Sequence, residues 1–351
     1  MKRNKKGIGF YYIVLGLLLF AIIVIAASIG SANIGSLQSL KIIATRIPFV
    51  GKVVDVGELN PAYETIVFEV RLPRILLSGL VGGGLAVTGA TFQGLFQNPL
   101  ADPHILGVSS GASFGATIAI LGGVGLSLGG MSTIGAFAFL GALITVFVVY
   151  HLSFLGGRVK TTSILLTGTA VSTMLSAFVS LMMTFHQEEI DQVYMWTLGS
   201  FTSASWSKIS YLLPIVIVCS AGILCFGQEL NLILTGEEVA ESLGVNTARV
   251  KKILIVLCSL LVAGCVSVSG IIGFVGLIIP HCIRLVVGPD NKKVLPLSIL
   301  GGAIWMIFSD TIARTVAAPT EIPVGVVTSI FGGPYFVYLL YRNQKEAEGK
   351  A

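Results

Sequence analysis

Apolar runs of about twenty residues alternate with short breaks rich in Gly, Pro and charge along nearly the whole chain. An α-helix crossing a bilayer needs ~20 apolar residues at ~1.5 Å rise. On that rule the pattern predicts spans at 10–30, 71–96, 104–122, 132–152, 163–185, 209–226, 251–270, 272–287, 294–316 and 324–341. The seventh and eighth form one apolar stretch, broken only around Ser269-Gly270 and Gly273. The expected fold is all-α and polytopic, a single transmembrane domain over 1–351 with ten helices. Lys2, Arg3, Lys5 and Lys6 ahead of the first run imitate a signal peptide, but the run is longer than the ~7–15 residues of such a segment. It reads as an uncleaved first helix.

Basic residues set the expected orientation. With the N-terminus inside, inner segments hold 15 Lys and Arg and outer segments hold 7. The positive-inside rule then puts both termini in the cytoplasm. The longest outer segment is 31–69, and a second, 187–208, carries Trp196 and Trp206 at interfacial positions. The main inner loop, 227–250, contains TGEEVAESLGV. Thr235 or Gly236 would cap a short helix there, with Glu237 and Glu238 in its favourable first turn.

Composition agrees with this picture. Hydrophobic residues make up 54% and charged residues 11%, against ~25% charged in a soluble domain. The 42 glycines suit helices that pack backbone to backbone in lipid. The net charge of +5 is spread between apolar runs, so no nucleic-acid surface is expected. Cys219, Cys225, Cys258, Cys265 and Cys282 form no CxxC pair and read as small packing residues. His104, His151, His186 and His281 lack ligand spacing, and no metal site is expected. A shift of 181 residues lays Gly83 on Gly264, Gly89 on Gly270, Pro99 on Pro280 and Gly107 on Gly288. An inverted repeat of two five-helix halves would leave such a trace, and so would chance in a Gly-rich chain.

Few residues carry chemistry. Arg71 and Arg74 flank Pro73 at the outer end of the second span, where they would either anchor the helix by snorkelling or receive carboxylates. Asn98-Pro99-Leu100-Ala101-Asp102-Pro103 cannot be continuous helix. Gly107-Val108-Ser109-Ser110-Gly111 fits GxSxG, but it opens an apolar helix instead of following a strand, which argues against a hydrolase. Asp310 and Arg314 share a helix face as an i, i+4 pair. Gly-Lys at 51–52 and 349–350 is not followed by Ser or Thr, so a phosphate loop is absent.

In order, RLPR, NPLADPHILGVSSGA, the LGV after the acidic inner helix, GFVGLIIPHCIR, SDTIAR, TEIPVG and GGPYFVYLL resemble the permease subunit of binding-protein-dependent ABC importers for iron chelates, haem and cobalamin. The resemblance covers about 10–342. It implies a homodimer, or a pairing with a close paralogue, in the cytoplasmic membrane. It also implies two cytoplasmic ATPase subunits that bind ATP and Mg, and an outer solute-binding protein. It makes Arg71, Arg74 and Arg314 docking residues for that protein's acidic groups. It makes Asn98 and Leu100, with Thr161, Thr162 and Ser163, parts of a cytoplasmic gate. Glu237, Glu238, Ala240, Leu243 and Gly244 become the ATPase-coupling element, and Glu321, Pro323 and Gly325 shape the outer mouth. The resemblance implies no enzymatic activity and no cofactor in this chain. The cargo it implies is an iron siderophore, with haem and cobalamin as alternatives. A rival reading, an ion-coupled secondary transporter, needs a mid-span carboxylate, for which Asp310 is the candidate. An intramembrane enzyme would need a catalytic pair that the sequence does not supply.

Overall fold

The computed structural model describes residues 7–30, 34–46, 61–123, 127–128, 131–155, 158–159 and 161–348. The basic cluster Lys2, Arg3, Lys5 and Lys6, residues 31–33 and 47–60 of the predicted outer loop and the side chain of Thr161 lie outside the described residues. Helix α1 (Ile8–Ser28) is apolar all round, and its most hydrophobic stretch is not buried inside the chain, so lipid is its environment. Helices α2 (Ser36–Thr45) and α3 (Pro61–Thr65) follow. A π turn, Ile66–Arg71, leads into α4 (Leu72–Leu95). Then come α5 (Val108–Leu121), α6 (Thr133–Ser153), α7 (Thr161–Phe185), α8 (Ile190–Thr197) and α9 (Trp206–Cys225). On the far side of the main polar loop lie α12 (Thr247–Ser269), α13 (Val275–Val287), α14 (Asn291–Ala313) and α15 (Val324–Glu348). That loop folds into α10 (Gly227–Ile233) and α11 (Glu237–Ser242). Two-residue strand pairings join 127–128 to 131–132 and 154–155 to 158–159.

Among the described residues, seven helices are long and apolar enough to cross a membrane, and three apolar helices are shorter. The chain is therefore a polytopic helical membrane protein. Its centre is α4, whose apolar window is 83% buried. Glycine makes this possible. A methyl group at Gly82 would overlap the Gly302 carbonyl oxygen of α14, and one at Gly89 would overlap the Gly276 carbonyl oxygen of α13. In lipid, such close approach replaces the hydrophobic effect as the cause of helix association.

The short helices differ from the runs read in the sequence. The third run begins at 104, yet α5 starts only after a 3₁₀ turn, Pro103–Leu106, and Gly107 at φ 77°. The eighth begins at 272, yet α13 starts after Phe274 at φ 68°. At ~1.5 Å per residue, helices of 14 and 13 residues fall short of the ~30 Å hydrocarbon core. Irregular backbone completes both, and at membrane depth such backbone must be buried in protein or line a cavity.

Candidate functional site

At one end of the bundle the chain collects its buried charges. The C-terminus of α1 leaves carbonyls without helical partners. Arg71 Nη1 donates to Ala27 O (2.6 Å) and Ser28 O (3.0 Å), and Arg314 Nη2 donates to Ala26 O. Guanidinium groups thus cap the negative end of a helix dipole. Arg74, one helical turn from Arg71, forms a fork with Asp310: Nε to Oδ2 at 2.9 Å and Nη2 to Oδ1 at 2.9 Å. Its Nη1 donates to both Glu321 oxygens at 2.9 and 3.0 Å. The Thr202 hydroxyl donates to Glu321 Oε2 at 2.9 Å. Arg74 and its two carboxylates compensate one another within the cluster, because a buried ion without a partner would have left water uncompensated. Burial alone would raise the Glu321 carboxyl, but the Arg74 hydrogen bonds and charge outweigh it and hold it below the usual glutamate range.

All three arginines singled out in the sequence meet in this cluster, turned inward. Arg71 is 3% and Arg74 8% exposed. The partner of Asp310 is Arg74, 236 residues away, not Arg314 on its own helix. Sequence reasoning missed that link and the Arg74–Glu321 link.

At the opposite end of α4, Asn98 Oδ1 accepts from Leu100 N (2.9 Å) and Asp102 Oδ1 from His104 N (2.8 Å). These side-chain turns replace helix where the prolines forbid it. The Ser109 hydroxyl bonds His104 Nδ1, while His104 Nε2 lies 3.1 Å from Ile272 O and 3.9 Å from Asp102 Oδ1. The imidazole therefore ties the break before α5 to the break before α13. It is not aligned between serine and carboxylate as hydrolysis requires. A cavity of about 610 Å³ lies beside both breaks, lined by Asp102, His104, Phe274 and the hydroxyl residues Thr169, Ser172, Thr173 and Ser176 of α7. Thr162 and Ser163 open α7; the Ser163 carbonyl accepts from Ser153, and among the described residues no hydrogen bond joins them to Asn98 or Leu100. Gln93 donates to Gly276 O and Leu277 O at 3.2 and 3.3 Å and accepts from Arg284, which also donates to Ala90 O at 3.1 Å. This lock between α4 and α13 was invisible in sequence.

Helix α11 stands on the same side as the break after α4, since α10, which leads into it, takes Gln97 Nε2 onto Ile233 O (2.7 Å). Gly236 at φ 124° precedes it. It ends in a Schellman motif: Val245 N to Ala240 O, Gly244 N to Glu241 O, both 3.0 Å, with Gly244 at φ 89°. Glu237 pairs with Lys251. Ala240 is fully buried and seats the helix, whereas Leu243 (62%) and Val239 (47%) are exposed. A rigid helix with an acidic, apolar outer face results.

The FecCD transport family pattern matches residues 17–342. The chain belongs to the FecCD transport family. This FecCD chain is 44% identical over 286 residues to the cobalamin import system permease protein BtuC of Halobacterium salinarum, covering 81% of this chain and 75% of that one. It is 37% identical to the hemin transport system permease protein HmuU of Yersinia pestis, covering 96% and 98%. It is 34% identical to the iron(3+)-hydroxamate import system permease protein FhuG of Bacillus subtilis, covering 93% and 95%. A solved inward-facing metal-chelate type ABC transporter superposes with a TM-score of 0.80 at 35% identity, covering 94% of this chain and 98% of that one. The FecCD chain is accordingly the transport subunit of an ABC importer, a multi-pass protein of the cell membrane.

Proposed function

We propose that two copies of this chain, with both termini cytoplasmic, form a path through which an iron chelate of the siderophore class is carried inward. Two partner subunits hydrolyse ATP, and an outer binding protein delivers the cargo. The observation that carries the reading is the family match over 17–342, joined to an exposed acidic-apolar α11 that suits docking on a cytoplasmic partner. Asp310 speaks against ion coupling: it is 2% exposed and bound in a guanidinium fork. The arginine cluster is the proposed docking face. An acidic partner would reach Arg74 by displacing Glu321, the more exposed of its two carboxylates. Uptake of labelled ferric siderophore into proteoliposomes should require ATPase subunits and ATP; uptake without ATP would overturn the proposal. The 44% identical relative gives cobalamin a specific claim as second cargo. Competition by unlabelled cyanocobalamin against siderophore, and the reverse, decides between them.

A further inference from the structure

Helices α6 and α12 pack together but leave a groove of about 440 Å³ between them, within the ~300–1,000 Å³ of typical ligand pockets. Its walls are apolar stripes at helical spacing, including Leu143, Val146 and Phe147 on α6 and Val256 and Leu260 on α12. Phe147 is 69% and Val256 57% exposed, so the groove opens toward the membrane side of the bundle. One end is polar. Tyr150 and His151, near the end of α6, meet Lys252, near the start of α12. His151 stacks on Phe147 at 6.0 Å. The adjacent Lys251 is committed to Glu237, while Lys252 has no carboxylate partner among the described residues. Deeper in the groove, about 10 Å along the helix from Lys252, Ser259 is 4% exposed and its hydroxyl has no hydrogen-bond partner.

We infer that this groove binds one anionic glycerophospholipid, its acyl chain against the apolar stripes and its phosphate on Lys252, with Tyr150 as second donor. The charge favours an anionic lipid: basic pockets between membrane helices select anionic head groups on the cytoplasmic side, where the proposed topology puts Lys252. The unpartnered Ser259 hydroxyl suits an ester oxygen of a lipid drawn deep between the helices.

Native mass spectrometry of the full-length protein in detergent tests this, titrating dioleoyl-phosphatidylglycerol against dioleoyl-phosphatidylcholine. The wild type should retain phosphatidylglycerol preferentially. Lys252→Gln should weaken it about fivefold, the share of one lysine at an anionic surface, and Lys292→Gln, an exposed lysine elsewhere, should leave it unchanged. Val256→Trp, which fills the groove from an exposed position, should exclude the lipid. Equal retention of the two lipids, or indifference to Lys252→Gln or to Val256→Trp, overturns the proposal. Competition by sn-glycerol 3-phosphate would assign the site to free phosphate. A change in subunit number with Val256→Trp would assign the face to a second copy. Either result overturns it too. None of these readouts depends on transport, so the lipid site stands or falls apart from the proposed cargo.

Discussion

Arg74 holds two carboxylates with one guanidinium, and the two differ in burial. Asp310 is almost sealed off, so breaking its pair is expected to cost about 3–5 kcal/mol. Asp310→Asn should therefore lower thermal stability in detergent sharply; a double variant, Arg74→Met with Asp310→Leu, should recover part of it, because the desolvated charges leave together. Glu321 is partly exposed and its effect is better read by pH. Its folded pKa lies below the ordinary value, so its contribution is full above ~4.3 and fades as pH falls through the lowered folded value. The melting temperature should therefore show the Glu321 contribution as a drop only as pH falls below about 4.3, and Glu321→Gln should flatten that acid limb. An unchanged limb would place the titration elsewhere.

The long apolar helices were legible in sequence because lipid demands about twenty apolar residues whatever the neighbours are. The starts of α5 and α13 were not, because Gly107 and Phe274 take left-handed backbone that apolar periodicity does not register. The arginine residues were legible, but their partners were not: Arg74 reaches Asp310 and Glu321 across 236 and 247 positions, and no local spacing encodes that. The 181-residue shift pairs Gly107 with Gly288, both at positive φ, yet pairs mid-helix Gly89 with Gly270 at the end of α12. Packing separates neighbouring glycines in α4 just as sharply. Gly82→Val should prevent stable assembly, since it meets the Gly302 backbone. Gly79→Ala meets nothing tighter than the end of Ile307 at 3.3 Å and should be tolerated; size-exclusion profiles in detergent would separate the two.

For the assembled importer, α11 offers the most direct handle. Leu243 is exposed beside Val239, and burying such a side chain against a partner contributes about 1.5–3 kcal/mol. Leu243→Asp should therefore weaken binding of the ATPase subunit by tenfold or more while leaving the melting temperature of the isolated chain within about 1 °C. A pull-down titration with the purified ATPase subunit reads the first, and a thermal melt the second.

The capping of α1 has a consequence for biogenesis. Its last carbonyls await Arg71, 44 positions after Ala27, and Arg314, 288 positions after Ala26. At ~5–20 residues synthesised per second, the second cap arrives roughly 15–60 s after the first span has left the ribosome. Until then that end of α1 relies on interfacial water. A nascent chain stalled before residue 314 should leave that end open to added protease, and release of the complete chain should close it. Helix α1, made 288 residues before Arg314, is thus among the last to be locked.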